Sequence, residues 1–224
     1  MEKTKRAVTV MTKLEKLIAE LCPNGVEYKT LGEIAKYRRG SFPQPYGESR
    51  WYGGKNAMPF VQVADVANTG MCLVEKTKQQ ISELAQLKSV FVPKGTVIVS
   101  LQGSIGRVAI TQYDSFVDRT LAIFENFIIK INKKYFAYQL EKIFSIEKEF
   151  ARGSTLKTIT KEEFTKFEIP LPPLAEQKRI VAILNRFDTL TNDLTSGLPA
   201  EIEARRKQYE YYRDKLLTFE GVGA

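Results

Sequence analysis

The stretch IPLPPLAEQKRIVAILNRFDTLTNDLT, residues 169–195, decides how the chain is read. Proline fixes φ and tolerates the first helical turn, where its missing N–H would have had no partner. Pro170, Pro172 and Pro173 therefore predict an extended lead-in that turns into a helix. Beyond them Ile180, Phe187 and Leu194 stand seven apart, with Ile183 and Leu190 between and Leu184 alongside. That is an a/d seam, the pattern of helices packed along a stripe. Thr195-Ser196-Gly197-Leu198-Pro199 then sets glycine where one helix ends and proline where another begins. The second helix has Ile202, Tyr209 and Leu216 seven apart, with Arg206, Tyr212 and Phe219 nearby. Glu201–Arg205 and Glu203–Lys207 make i,i+4 pairs on its wet face. The spacing allows either a hairpin at 195–200 or one kinked rod.

Working upstream, Thr160 and Glu163 form a capping box, and Asn132 can cap a helix carrying Phe136, Leu140, Ile143 and Phe144 to about Phe150. Before that the chain reads as short strands and turns. Thr96–Leu101 and Ile105–Ile110 are β-branched, alternating runs that make a hairpin around Gln102-Gly103-Ser104. A further strand pair is predicted at 115–118 and 121–131, and a half-buried strand at Phe60–Val66. Residues 79–89 read as helical or irregular, and 31–37 as a short helix or strand. Residues 38–59, rich in Gly, Pro, Arg and aromatics, predict a long loop, a feature uncommon in compact domains unless it binds something. Thr12 and Glu15 cap a short helix with Leu14, Leu17, Ile18 and Leu21, which stops at Cys22-Pro23-Asn24-Gly25. Strands followed by helices give an α+β class: a mixed body with a twisted sheet, then long coiled-coil-forming helices. The expected divisions are a helix within 1–24 packing near the rod, a body at 25–170, and a helical region at 171–224.

A chain of 224 residues with 43% hydrophobic content can bury a sizeable core. Its apolar runs are short and broken by charges, so no transmembrane helix is expected. The first twenty residues lack the apolar core of a signal peptide. Cys22 and Cys72 are too few for a disulfide framework and lack metal-ligand spacing. A cytoplasmic setting is expected. The absence of histidine removes Ser-His and Cys-His nucleophiles and most zinc sites. No Walker A lysine motif is present. Gly103-Ser104-Ile105-Gly106 matches a GXXG by letter but joins strands where a KH loop joins helices. Asp65, Glu75 and Asp118 could be forced into a nuclease-like set, although scattered acids are usually solvated surface. No catalytic residue and no metal ligand is therefore expected.

The net charge of +8 lies in the body. Residues 25–170 carry twenty-one Lys/Arg against fifteen Asp/Glu, whereas 171–224 carry eight of each. A basic body suits a polyanion, most simply nucleic acid.

Five segments together carry a family resemblance. They are LEKLIAELCPNGVEYKTLGEIA (14–35), PKGTVIVSLQGSIGRVAI (93–110), GSTLKTIT (153–160), IPLPPLAEQKRIVAIL (169–184) and LPAEIEARRKQYEYYRDKLLTF (198–219). In these the chain resembles the DNA-specificity (S) subunit of Type I restriction-modification systems. Members of that family carry two target-recognition domains and two helical regions, so one of each resembles a half subunit. The resemblance implies that the body reads half of a bipartite target in double-stranded DNA. It implies that the helices space the half-sites and dock methyltransferase (M) subunits and, through them, the restriction (R) subunit. S-adenosylmethionine and ATP are then expected on those partners, with no cofactor on this chain. A half subunit would dimerise about a two-fold axis and read inverted half-sites.

The residues agree with a partnered seam. Phe187, Tyr209 and Tyr212 among aliphatics make a stripe not expected to stay bare. Each buried a/d side chain contributes roughly 1.5–3 kcal/mol, against an association cost of at least about 4 kcal/mol. The expected helical interface is Ile180, Ile183, Leu184, Phe187, Leu190, Leu194, Ile202, Tyr209, Tyr212 and Leu216, meeting another copy or the methyltransferase. An intramolecular hairpin closing on residues 12–21 is the alternative. Base edges carry the sequence while phosphates position the protein. The candidate contacts are Arg38, Arg39 and Arg50 in the long loop and Gln102, Ser104 and Arg107 at the hairpin. The polar loop adds Arg152, Ser154, Thr155, Lys157 and Thr158. Two other readings compete with a DNA-recognition module: a stand-alone DNA nuclease with a coiled-coil dimer interface, and a structural coiled-coil adaptor.

Overall fold

A computed structural model describes residues 20, 22, 25–68, 70–150, 164–193 and 199–219, with residues 148–150, 189–193, 199–200 and 202 described by backbone alone. In chain order the elements are β1 (Tyr28–Thr30), α1 (Leu31–Ile34), β2 (Ala35–Arg39), β3 (Met58–Val61), β4 (Gln79–Ile81), α2 (Glu83–Gln86), β5 (Val90–Val92) and β6 (Val97–Ser100). There follow β7 (Val108–Ile110), β8 (Ser115–Val117), β9 (Leu121–Phe127), α3 (Lys133–Phe150), β10 (Glu168–Pro170), α4 (Leu174–Asp193) and α5 (Pro199–Leu216).

Strand β9 shows how the layers are built. Successive side chains on a strand point to opposite faces. Ala122 and Phe124 pack with the helices on one side, while Leu121 and Ile123 pack with a second sheet on the other. Strand β6 does the same, Val97 and Val99 facing the helices and Ile98 the second sheet, so every residue of it is buried. The first sheet, ordered β2-β9-β6-β7, is antiparallel throughout. The second is ordered β4-β3-β8-β5 and is mixed, because β3 and β8 run parallel. Its outer face carries Phe60 and Phe116 under a lid of Phe42, Trp51 and Ala85. A ribbon of β1 and β10 completes the strands.

Several expectations hold at the level of single bonds. Asn132 Oδ1 accepts from the Lys134 and Tyr135 N–H groups at 2.9 and 3.0 Å, capping α3. Phe136, Leu140 and Phe144 are buried along that helix. Helix α5 starts at Pro199, and its Glu201–Arg205 and Glu203–Lys207 pairs close at 2.9 and 3.0 Å.

The helices fold back as a hairpin. Phe187 stacks on Tyr212 at 5.8 Å and 17° and lies 6.4 Å from Tyr209. Gln177 Oε1, in the first turns of α4, accepts from Asn132 N at 2.8 Å. The far end of α5 returns to α3, where Lys142 Nζ donates to Leu217 O at 3.2 Å. Ile180, Leu184 and Leu216 belong to the same core as α3 and the first sheet. Of the two arrangements the spacing allows, the hairpin is the one found, and over Ile180, Leu184 and Leu216 the stripe is closed by its own chain.

Other differences are local. The predicted pair at 115–118 and 121–131 is split, β8 joining the second sheet and β9 the first. The run Phe60–Val66 leaves the strand after Val61 and makes a 3-10 turn at Val63–Asp65. The β6–β7 connection is wider than a tight turn, spanning residues 101–107. Gly106 lets it dock: its φ is +74°, and a Cβ there would lie 2.3 Å from Phe144 Cβ on α3. Trp51 is a core residue, 4% exposed. The expected helix at 12–21 is undescribed save for Glu20, and the capping box at Thr160 and Glu163 lies outside the described residues.

Candidate nucleic-acid interface

Strands of both sheets run out at one rim. Strand β2 ends at Arg39 opposite Ala122, and β6 ends at Ser100 opposite Leu121. Strands β3 and β8 end side by side at Val61 and Val117. Backbone bonds stitch these ends together: Gly40 N to Leu121 O at 3.1 Å, Ser41 N to Val117 O at 3.0 Å, Leu101 N to Thr120 O at 2.8 Å, and Asp118 N to Val61 O at 3.0 Å. The residues that follow the strands therefore meet around one recess of about 360 Å³, lined by Tyr46, Gln62, Gln102, Asp118, Arg119 and Thr120 with Val63 and Ala64. Glycine is needed at 40 for this closeness, since a Cβ would sit 2.1 Å from Val117 O and 2.4 Å from Asp118 O.

Asp118 holds the recess. Its side chain is 2% exposed. Oδ1 accepts from Thr120 N at 2.9 Å and Thr120 Oγ1 at 2.6 Å, an Asx-turn, and Oδ2 accepts from the Tyr46 hydroxyl. Burial, then the hydrogen bond to Asp118 and its charge, push the Tyr46 phenol well above its ordinary pKa, so it remains a neutral donor. Tyr46 O in turn accepts from Tyr52 OH at 2.8 Å, and Phe42 packs between these rings and Phe60. The Arg119 guanidinium lies 5.4 Å from the Tyr46 ring centre. Asp65 plays a parallel part nearby, accepting from Gln62 N at 2.8 Å and Lys78 N at 2.7 Å while 2% exposed. The expectation that Asp65 and Asp118 are solvated surface acids is corrected: both are buried braces of loop backbone. Among the described residues no group of three or more His, Cys, Asp or Glu could hold a metal ion.

The sequence candidates divide. Arg39 is exposed at the rim and Gln102 lines the recess, with Ser104 exposed in the same loop. Arg38 is taken up by Glu125 at 2.7 Å. Arg50 pairs with Glu48 and lies over the Trp51 ring at 4.3 Å, with Lys88 over the same ring at 5.4 Å. Arg107 is half-buried and donates from one guanidinium nitrogen to Val63 O at 3.4 Å and Val66 O at 3.1 Å, so bracing the 63–66 turn. Arg152, Ser154, Thr155, Lys157 and Thr158 lie outside the described residues. Of the interface candidates, Ile180, Leu184 and Leu216 are core, which corrects their placing at an interface between chains. Ile183, Phe187, Tyr209 and Tyr212 are half-buried, and the side chains of Leu190, Leu194 and Ile202 are not described.

Gln62, Arg119, Tyr46 and Asp118 were not among the DNA-contact candidates, Asp118 having entered only as a scattered acid. Asp118-Arg119-Thr120 does carry a local signal, an Asp two residues before a hydroxyl, which favours an Asx-turn. Its nearness to Gln62 and Gln102 depends on the parallel β3–β8 pairing, which no local pattern encodes. A larger cleft of about 530 Å³ separates the β6–β7 loop and α3 from α5, but it balances Arg107, Arg206 and Arg213 with Glu141, Glu210 and Asp214. It therefore offers a polyanion no net attraction.

Comparison with known proteins places this geometry. The family model described as the Type I restriction modification DNA specificity domain matches residues 23–204. The EcoR124I/EcoR124II specificity subunit of Escherichia coli is 36% identical over 203 residues, covering 87% of this chain and 48% of the relative. A putative type I specificity subunit of Haemophilus influenzae, S.HindORF215P, is 40% identical over 128 residues, 56% of this chain and 32% of the relative. The chain thus spans about half or less of the length of these relatives. The solved HsdS subunit of Thermoanaerobacter tengcongensis shares the fold, with a TM-score of 0.60 at 22% identity over 91% of this chain and 49% of that one.

Proposed function

The chain belongs to the Type I restriction-modification DNA specificity family, and from that premise we propose that it reads double-stranded DNA for a restriction-modification complex and has no catalytic centre of its own. The family match across residues 23–204 carries the proposal. The rim supports it, because amide, hydroxyl and guanidinium groups gather there on a body whose charge is positive. Each chain reads one half of a bipartite target. Helices α4 and α5 dock methyltransferase subunits and, through them, the restriction subunit. Methyl transfer from S-adenosylmethionine and ATP-driven cleavage belong to those partners.

Two copies about a two-fold axis supply two reading heads and together match the length of the Escherichia coli relative, of which one copy covers 48%. Tyr211, 53% exposed, and the half-buried Phe187, Tyr209 and Tyr212 are the described aromatic surface left on α4 and α5 for such contacts. The purified chain is expected to retain duplex DNA with log affinity falling linearly as log salt rises, to leave it uncut in magnesium, and to sediment as a dimer. Magnesium-dependent cutting, or no retention at low salt, overturns the DNA-reading role. A monomer at the binding concentration overturns the paired copies alone.

A further inference from the structure

Resting on the DNA-reading role above, we propose that the strand-end recess is the base-reading site and takes purine edges in the major groove, with Gln102 and Arg119 touching the bases and Asp118 as the positioning residue. A Gln carboxamide matches N6 and N7 of adenine, and a guanidinium matches O6 and N7 of guanine. Both side chains line the same recess, whose Val63 and Ala64 wall is suited to a thymine methyl.

The described arginines of this body fall into two groups, Arg39 and Arg119 standing apart from the other three. Arg38 is paired with Glu125, Arg50 with Glu48, and Arg107 with two backbone carbonyls. Each of the three is thus drawn toward a partner within the protein. Arg119 makes no ion pair and no hydrogen bond to another described residue, while its neighbour Asp118 is committed to Thr120 and Tyr46. The guanidinium is thus held on the Tyr46 ring with its fork available.

The backbone beneath both readers is fixed in advance. Leu101 N bonds Thr120 O, tying the Gln102 loop to the Arg119 turn. Ser100 Oγ donates to Ser104 O at 2.5 Å and accepts from Arg107 N at 2.8 Å, closing the loop around Gln102. Gly106 seats that loop on α3. A reader on a rigid support loses little entropy on binding, so its hydrogen bonds count in selectivity.

The test is selection of a random duplex library by the purified full chain, followed by sequencing. Gln102→Ala is expected to relax one base position by roughly 5- to 150-fold, as loss of a bidentate contact does, while retention of non-specific duplex and the thermal midpoint stay unchanged. Arg119→Ala is expected to relax a different position. Asp118→Asn keeps an acceptor for Thr120 and retains the motif. Asp118→Ala relaxes only the Arg119 position, whereas a merely structural role would weaken every position together. Arg38→Ala is the control and leaves the motif intact. Duplex retention with a motif that Gln102→Ala and Arg119→Ala do not alter, or with no motif at all, overturns the recess assignment and leaves the DNA-reading role standing. No retention of any duplex by the unaltered chain overturns both.

Discussion

The helical side of the molecule and the strand-end rim are held by different forces. Along α3, α4 and α5 the contacts are apolar: Phe136 meets Phe124 and Phe127 at 4.9 and 5.1 Å, and Ile180, Leu184 and Leu216 lie beneath. Buried polar groups among the described residues there are few, and each has a partner. Tyr135 OH donates to Pro170 O at 2.9 Å, and Tyr138 OH donates to Asp188 Oδ2 at 2.6 Å. At the rim the order is reversed. Buried carboxylates set the loops, and glycine admits a crossing that no side chain would fit. Area stabilises one region, while a handful of hydrogen bonds shapes the other.

The sharpest way to break that contrast is on the apolar side. Phe136→Ala should cost about 3–5 kcal/mol in denaturant unfolding, with the base preference of the surviving folded protein unaltered. Gly40→Ala attacks the rim where backbone meets backbone. It should cost about 1–3 kcal/mol, since the clash has no flexible side chain to absorb it, and should also disturb the DNA motif. Tyr46→Phe removes one hydrogen bond to a buried carboxylate and should cost about 1.5–3 kcal/mol at neutral pH.

Titration separates the two regions further. The folded-state pKa of Tyr46 is raised above its ordinary value of 10.0, so the stability it contributes is fully present below pH 10 and is lost as pH rises through the folded value. Tyr138 and Tyr209 behave alike on the helical side, raised first by burial. Tyr46→Phe should therefore flatten only part of the alkaline fall in stability, measured as unfolding midpoint against pH. The smallest effect is expected at the exposed Glu203–Lys207 pair, where Lys207→Ala should change stability by about 0.3–0.5 kcal/mol.

The same division explains what could be read in advance. Asn132 as a cap, Pro199 as a first helical residue and the Glu201–Arg205 pair are all local patterns, and all are found. The a/d seam was legible as a buried stripe, but spacing does not say whose surface buries it. Here Ile180 and Leu184 meet their own chain. The rim was harder. Gln102 stood out because it tips a hairpin, whereas Arg119 and Gln62 follow strands that looked ordinary. Their convergence comes from a parallel pairing between residues 60–61 and 116–117, more than fifty positions apart. Asp118 resembled any surface acid until the hydroxyls of Tyr46 and Thr120 were seen around it.

The small ribbon of β1 and β10 has a consequence for how such a protein can change. Tyr28 lies against Pro170 and Thr30 against Glu168, so the chain sets out toward the two sheets and returns to the last two helices side by side at this ribbon, a narrow neck. A whole replacement for that excursion, ending in two similar short strands and offering α4 an apolar face, could be spliced in without altering the neck. If the chain reads DNA as proposed, a new target preference would then come with one exchanged cassette, where piecemeal substitution would have to rebuild every loop in turn.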